Sequence, residues 1–132
     1  MSLALTMDFQ FKTTLEKAWD ALTDSDKLAK WITDNDFKPE VGHRFRFRHQ
    51  PSEYWDGLVD GEVLVVEAPN RLSYSWATGD ERHTVTWTLE DLGDGSVNLH
   101  LDQTGFTNVQ GLEGARYGWS GWFEKFEQAL EA

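Results

Sequence analysis

The chain has no cysteine, which removes disulfides, thiolate catalysis and thiolate-held zinc or iron–sulfur centres together. Basic residues are scarce. Twelve Lys and Arg stand against 23 Asp and Glu, and the formal net charge of −11 repels phosphate backbones and anionic lipid. Neither nucleic acid nor a membrane is therefore an expected partner. No apolar run approaches the ~18 residues of a spanning helix, and no charged-then-apolar leader is evident, so a cytoplasmic location is expected. Internal repeats and low-complexity segments are also missing. What is plentiful is large rings, with seven Trp, eight Phe and three Tyr in 132 residues. A chain of this length is expected to form a single domain over residues 1–132, and rings in such numbers suit a core and a pocket equally well.

The chain is organised around its last stretch, Leu112 to Leu130. Leu112, Ala115, Trp119, Trp122, Phe123, Phe126 and Leu130 recur at three and four residues, one face of a helix, while Glu113, Arg116, Glu124 and Glu127 take the other. An isolated helix of this length is marginal, so its aromatic stripe needs a partner surface. The rest of the chain supplies one. From Ala4 to Lys12, Leu5, Met7, Phe9 and Phe11 alternate with polar residues as in a half-buried strand. Thr13 or Thr14 caps a helix marked by Leu15, Ala18, Trp19 and Leu22, and Thr23 to Asp26 breaks it and starts a second around Leu28 and Trp31. Thr33 to Phe37 reads as a polar loop. Phe45 and Phe47 then alternate with Arg44, Arg46 and Arg48, whose face is simplest as a solvated exterior. The run Val63-Leu64-Val65-Val66 implies burial on both faces or a bulge. Leu72, Tyr74 and Trp76, then His83, Val85, Trp87 and Leu89, then Val97, Leu99, Leu101 and Gln103 mark three further strands joined by short turns, hence antiparallel neighbours.

The expected fold class is α+β: a curved antiparallel sheet of about six strands wrapped around a long C-terminal helix, with two short helices after the first strand. Ala18-Trp19-Asp20-Ala21-Leu22-Thr23-Asp24 followed by Leu28 to Trp31, Phe37-Lys38-Pro39-Glu40-Val41-Gly42, Pro69-Asn70-Arg71-Leu72-Ser73-Tyr74-Ser75-Trp76, Thr86-Trp87-Thr88-Leu89, Thr104-Gly105-Phe106 and Gly118-Trp119 occur in an order that resembles the activator of Hsp90 ATPase homologue-like family of the START-like, helix-grip superfamily. The resemblance implies a hydrophobic cavity between sheet and helix. Its eukaryotic members stimulate the Hsp90 ATPase; other branches of the superfamily bind lipids, hormones or polyketides, and a few catalyse cyclisation or dehydration.

Chemistry is sparse in the sequence. His43 and His49 stand about 20 Å apart along an extended strand, too far to share an ion, and neither belongs to a close histidine pair. His100 has the polar parity of its strand. His83, Gln103 and Tyr74 have the inward parity of theirs and supply the few polar groups with which an apolar pocket orients a ligand. Ser120 lacks an elbow motif, no glycine loop cradles phosphate, and the acidic residues fall mainly in turns and on exposed faces. No cofactor, metal or catalytic residue is expected. The leading expectation is binding of a small hydrophobic molecule in a pocket walled by Phe45, Phe47, Tyr74, Trp76, His83, Trp87, Gln103, Trp119 and Phe123, with Trp31, Tyr54, Trp55 and Phe106 near its mouth. The alternatives are a chaperone-associated or stress-linked interaction module using the Arg44, Arg46, Arg48 row, and a small cyclase- or hydratase-like enzyme using His83 or Tyr74. A protein partner and a homodimer stay open.

Overall fold

The computed structural model describes residues 3–49, 51, 53, 57–78 and 81–130. Strand β1 (Leu3–Lys12) is followed by helices α1 (Leu15–Thr23) and α2 (Ser25–Trp31), strands β2 (Asp34–Asn35), β3 (Arg44–Arg48), β4 (Leu58–Glu67), β5 (Arg71–Thr78), β6 (Glu81–Asp91) and β7 (Ser96–Phe106), and helix α3 (Val109–Leu130). One antiparallel sheet holds every strand in the order β1-β7-β6-β5-β4-β3-β2. The first strand thus closes onto the last, and the others form a meander.

Local chemistry accounts for the element boundaries. Thr14 caps α1 by accepting the Lys17 N–H, and Asp24 both ends α1 and caps α2 through the Asp26 and Lys27 N–H groups. The stretch read as a polar loop contains β2, which makes seven strands where about six were expected. Asn35 explains it: its amide donates to the Ser25 and Thr33 carbonyls at 3.1 and 2.9 Å and accepts the Phe37 N–H at 3.0 Å. That buried amide holds two residues against β3 and folds Phe37 into the core. Two residues are too few to show a period. In β4 the register shifts between Val63 and Val65, so the apolar run is a bulge that buries Val63 and turns Leu64 outward. The helix α3 begins three residues before Leu112, because Asn108 Oδ1 accepts the Gly111 N–H at 2.7 Å.

The Arg face of β3 is a solvated exterior in which each guanidinium meets a carboxylate of a neighbouring strand or the segment beside it. Arg44 pairs with Glu62, Arg46 with Asp60 at 2.7 Å, and Arg48 with Asp34 and Asp36. This is a charge ladder, not an uncompensated basic patch.

The core lies between the inner face of the sheet and the helices. At its closed end Phe123 stacks on Phe9 with ring centroids 3.8 Å apart, and Phe11 meets Phe126 at 4.7 Å. Trp31 fills the centre, 4.9 Å from Phe126, 5.3 Å from Phe123 and 6.3 Å from Trp87, and its indole donates to the Ala21 carbonyl at 2.8 Å. The structure therefore corrects the placement of Trp31 near a pocket mouth: α2 packs flat on α3 and presses the ring inward. Trp31→Ala is expected to lower stability by about 3–5 kcal/mol, as truncation of a fully packed aromatic does, which urea unfolding measures directly; a loss below about 1 kcal/mol would contradict this packing.

Candidate functional site

The sheet and α3 diverge toward the N-terminal half of the helix, and a groove of about 340 Å³ opens there. Three strand ends form its base. Trp76 and Thr78 come from the end of β5, Glu81 and His83 from the start of β6, and Gln103 and Phe106 from the end of β7. Trp76 and His83 are direct cross-strand partners, while Gln103 lies opposite Val85, one inward position further along β6. Helix α3 contributes Gly111, Ala115, Gly118, Trp119 and Trp122, recurring at about one turn. Small residues on the helix keep the space open. A Cβ at Gly118 would meet nothing within 4 Å, and the same holds at Gly114 and Gly121, so no close approach requires glycine at these three positions. A second hollow of about 350 Å³, lined by His49 and Val59, shares Trp76, Thr78 and Trp122 with the first. A surface dip of about 370 Å³ on the outer side of α3 is bounded, among the described residues, by that helix alone.

The apolar wall is a run of indoles. Trp119 touches Trp122 edge-on at 4.9 Å and Trp76 at 5.5 Å, and the half-buried Trp122 lies parallel to His49 at 5.4 Å. Burial pushes the His49 imidazole below its ordinary value.

Across this wall runs one chain of hydrogen bonds, and its direction is determined by chemistry. An indole N–H can only donate, so Trp119 Nε1, 2.8 Å from Gln103, must face the amide oxygen. The Gln103 NH₂ then points at His83 Nδ1, also at 2.8 Å, which must accept. His83 carries its proton on Nε2 and donates to Glu81 Oε2 at 2.7 Å, while the Thr107 hydroxyl donates to Glu81 Oε1 at 2.7 Å. Those hydrogen bonds, Thr107 first and His83 second, hold the Glu81 carboxyl below the usual carboxylate range. Gly105, at φ +104, makes room for the chain: a side chain there would run into the Arg82 carbonyl and crowd the His83 ring.

Among the residues expected to form a pocket, the structure brings Trp76, His83, Gln103, Phe106 and Trp119 together at this groove. Phe106 belongs to its wall, 4.3 Å from the His83 ring. Phe45, Phe47, Tyr74, Trp87 and Phe123 are placed elsewhere, in packed core. They share the inward parity but sit further along their strands, or further down α3, where helices and sheet are in contact. Phe45 is wedged between Phe37, Phe47 and Tyr74 at 4.9–5.3 Å. Tyr74 is corrected as a pocket polar group: its oxygen accepts the Trp87 indole N–H at 2.9 Å inside the core, and burial pushes its hydroxyl far above its ordinary value. Tyr54 and Trp55 lie outside the described residues. Sequence reasoning missed Thr78, Glu81, Gly111, Ala115, Gly118 and Trp122, the last placed on the helix stripe but not in the pocket. Glu81 beside a turn reads as solvated surface; the spacing of Gly111, Ala115 and Gly118 was the available signal.

Residues 12–131 match the model of a family described as Activator of Hsp90 ATPase homolog 1-like protein. The chain belongs to this Hsp90-activator-homologue family. Among solved structures it is similar to protein MLL2253 of Mesorhizobium loti, at 36% identity and TM-score 0.86, over 98% of this chain and 97% of that one. It also shares its fold with CalU16 of Micromonospora echinospora (20% identity, TM-score 0.81, 98% and 76% covered). The Hsp90 activator PFC0360w of Plasmodium falciparum has the same fold (17% identity, TM-score 0.80, 98% and 96% covered). A comparison with curated proteins finds none that matches. Among the described residues no helix is long and apolar enough to cross a membrane.

Two outcomes test the hydrogen-bond chain in this family member. Gln103→Leu strands the Trp119 N–H and His83 Nδ1 and is expected to cost about 1–3 kcal/mol for each orphaned group, read by urea unfolding; an unchanged midpoint would refute the chain. The lowered Glu81 value contributes stability that is full above the unfolded carboxylate value of about 4.3 and is lost as pH falls through the folded value. The stability gap between wild type and Glu81→Gln is therefore expected to narrow as pH falls below about 5, and a gap independent of pH would contradict it.

Proposed function

We propose that this protein binds a small, largely apolar molecule in the groove between the ends of β5, β6 and β7 and the N-terminal half of α3. The observation that carries the reading is the face of α3 over the groove: Gly111, Ala115 and Gly118 present nothing larger than a methyl group there, and a Cβ at Gly118 would meet no atom within 4 Å. Glycine inside a helix costs roughly 1 kcal/mol relative to alanine, and nothing near Gly118 demands its absence of a side chain. Stability alone therefore gives no reason for the gap. Its volume is at the lower end of the ~300–1,000 Å³ of small-molecule sites, and an apolar wall with a few fixed polar groups is their usual make-up. The helix-grip resemblance supports the same reading, since other branches of that superfamily hold lipids, hormones or polyketides.

Binding is better supported than catalysis. Both His83 nitrogens are engaged, Nδ1 by Gln103 and Nε2 by Glu81, so neither is free to take a proton from a bound molecule. Tyr74, the other candidate acid or base, lies in the core against Trp87. The interaction-module reading loses its motive in the Arg row, whose charges meet Glu62, Asp60, Asp34 and Asp36.

Native mass spectrometry of the purified protein, followed by denaturation of the same sample, tests the proposal. A reproducible extra mass that leaves on denaturation is expected, and Ala115→Leu, which extends a side chain into the groove at little cost in helix propensity, is expected to abolish it while the fold persists. A bare mass, together with tryptophan fluorescence indifferent to a panel of lipids and small aromatics, would overturn it.

A further inference from the structure

The polar edge of the groove has one sign of charge. Among the described residues that line it there is no Lys or Arg, whereas Glu81 presents a carboxylate. Arg82, the next residue, has the opposite strand parity and is exposed on the other face of the sheet. The partners of Glu81 do not neutralise it. Thr107 offers a hydroxyl, and the donor chain from Trp119 through Gln103 requires His83 to carry a single proton, on Nε2. A carboxylate with neutral donors only is therefore left at the wall of an apolar groove, about a third exposed in its side chain, in a chain whose net charge is −11.

Beside it stand the faces and edges of Trp76, Trp119, Trp122 and Phe106. Aromatic rings attract cations through the negative potential of their faces, tryptophan most strongly, and quaternary ammonium groups are recognised by aromatic walls of this kind. A buried anion would instead meet Glu81 and the ring faces without a compensating charge.

Resting on the groove reading above, we infer that the molecule held there is an organic cation: an apolar or aromatic body bearing an amine or quaternary ammonium group, its charge placed between Glu81 and the indole wall. The acidic surface of the chain then draws such a ligand in from solution, and the absence of Lys or Arg among the described lining residues keeps carboxylate and phosphate compounds out.

Three probes of matched shape and different charge separate this inference from the groove itself: benzyltrimethylammonium, neopentylbenzene and phenylmethanesulfonate. Binding is followed by the indole N–H resonances of the ¹⁵N-labelled protein. The cation is expected to bind at least tenfold more tightly than its neutral isostere, and the anion more weakly than either. Added salt should reduce the gap, Glu81→Gln should shrink it to less than threefold, and Ala115→Leu should abolish binding of all three. Equal or tighter binding of neopentylbenzene by the wild-type protein would overturn the inference while leaving an apolar groove in place. A gap that survives intact in folded Glu81→Gln would also overturn it. No response to any probe, or unchanged binding by Ala115→Leu, would remove the groove reading as well. The wild-type comparison alone decides the charge preference should Glu81→Gln fail to fold.

Discussion

The hydrogen bond from the Trp119 indole to Gln103 is where the long helix is tied to the sheet, and the site depends on it. Apolar contacts hold α3 elsewhere: Phe123 and Phe126 lie on Phe9, Phe11 and Trp31, a clamp of rings that fixes the C-terminal half by shape and area. Such contacts are strong but not directional. A bond between a donor-only indole and an amide is directional, and it sets the height and rotation at which the helix leaves the clamp. Beyond that point α3 carries the small residues Gly118, Ala115 and Gly111 over the strand ends, and the groove is the space they leave.

The same bond orients the polar chain behind it. Because Trp119 can only donate, Gln103, His83 and Glu81 have no freedom in how they orient, and the chain ends on a carboxylate that takes two neutral donors. A buried polar chain of this kind is safe only when every member is satisfied, since an orphaned group in low dielectric costs more than the bond contributes. Here Trp119, Gln103, His83 and Glu81 each have a partner, and the surplus negative charge emerges at the groove. Structural and functional roles therefore fall on the same residues: the chain that keeps Trp119 in register also sets the electrostatic character of the site.

Much of the fold was legible because it rests on periodicity. The alternation in β1, β3, β5, β6 and β7 and the stripe of α3 are direct consequences of a side-chain period of about 2.0 or 3.6. Inward parity also picked out His83, Gln103 and Tyr74 as polar groups, of which the first two meet at the groove. Parity, though, says which face a residue takes and not how far along the strand the covering helix reaches. Tyr74 and Trp76 point the same way from β5, yet one is sealed against Phe37, Phe45 and Trp87 and the other borders open space. Phe45 and Phe47 were misplaced for the same reason. The short strand β2 escaped because a single buried amide, Asn35, builds it through contacts with α2 and the loop after it.

Residue type and local spacing were enough for the α+β class, for the order of every element but β2 and for the absence of thiol chemistry, while a series of short motifs carried the resemblance to the family. Only the tertiary structure decided where the helix stops touching the sheet. That divergence depends on packing between Phe9, Trp31 and Phe123, residues far apart in the chain, and on a donor bond joining Trp119 to Gln103. It also decided the meaning of Glu81. In one dimension it is an acidic residue beside a turn; in three it is the charged edge of an aromatic groove, because β6 begins at the opening bordered by the end of β5, the end of β7 and α3.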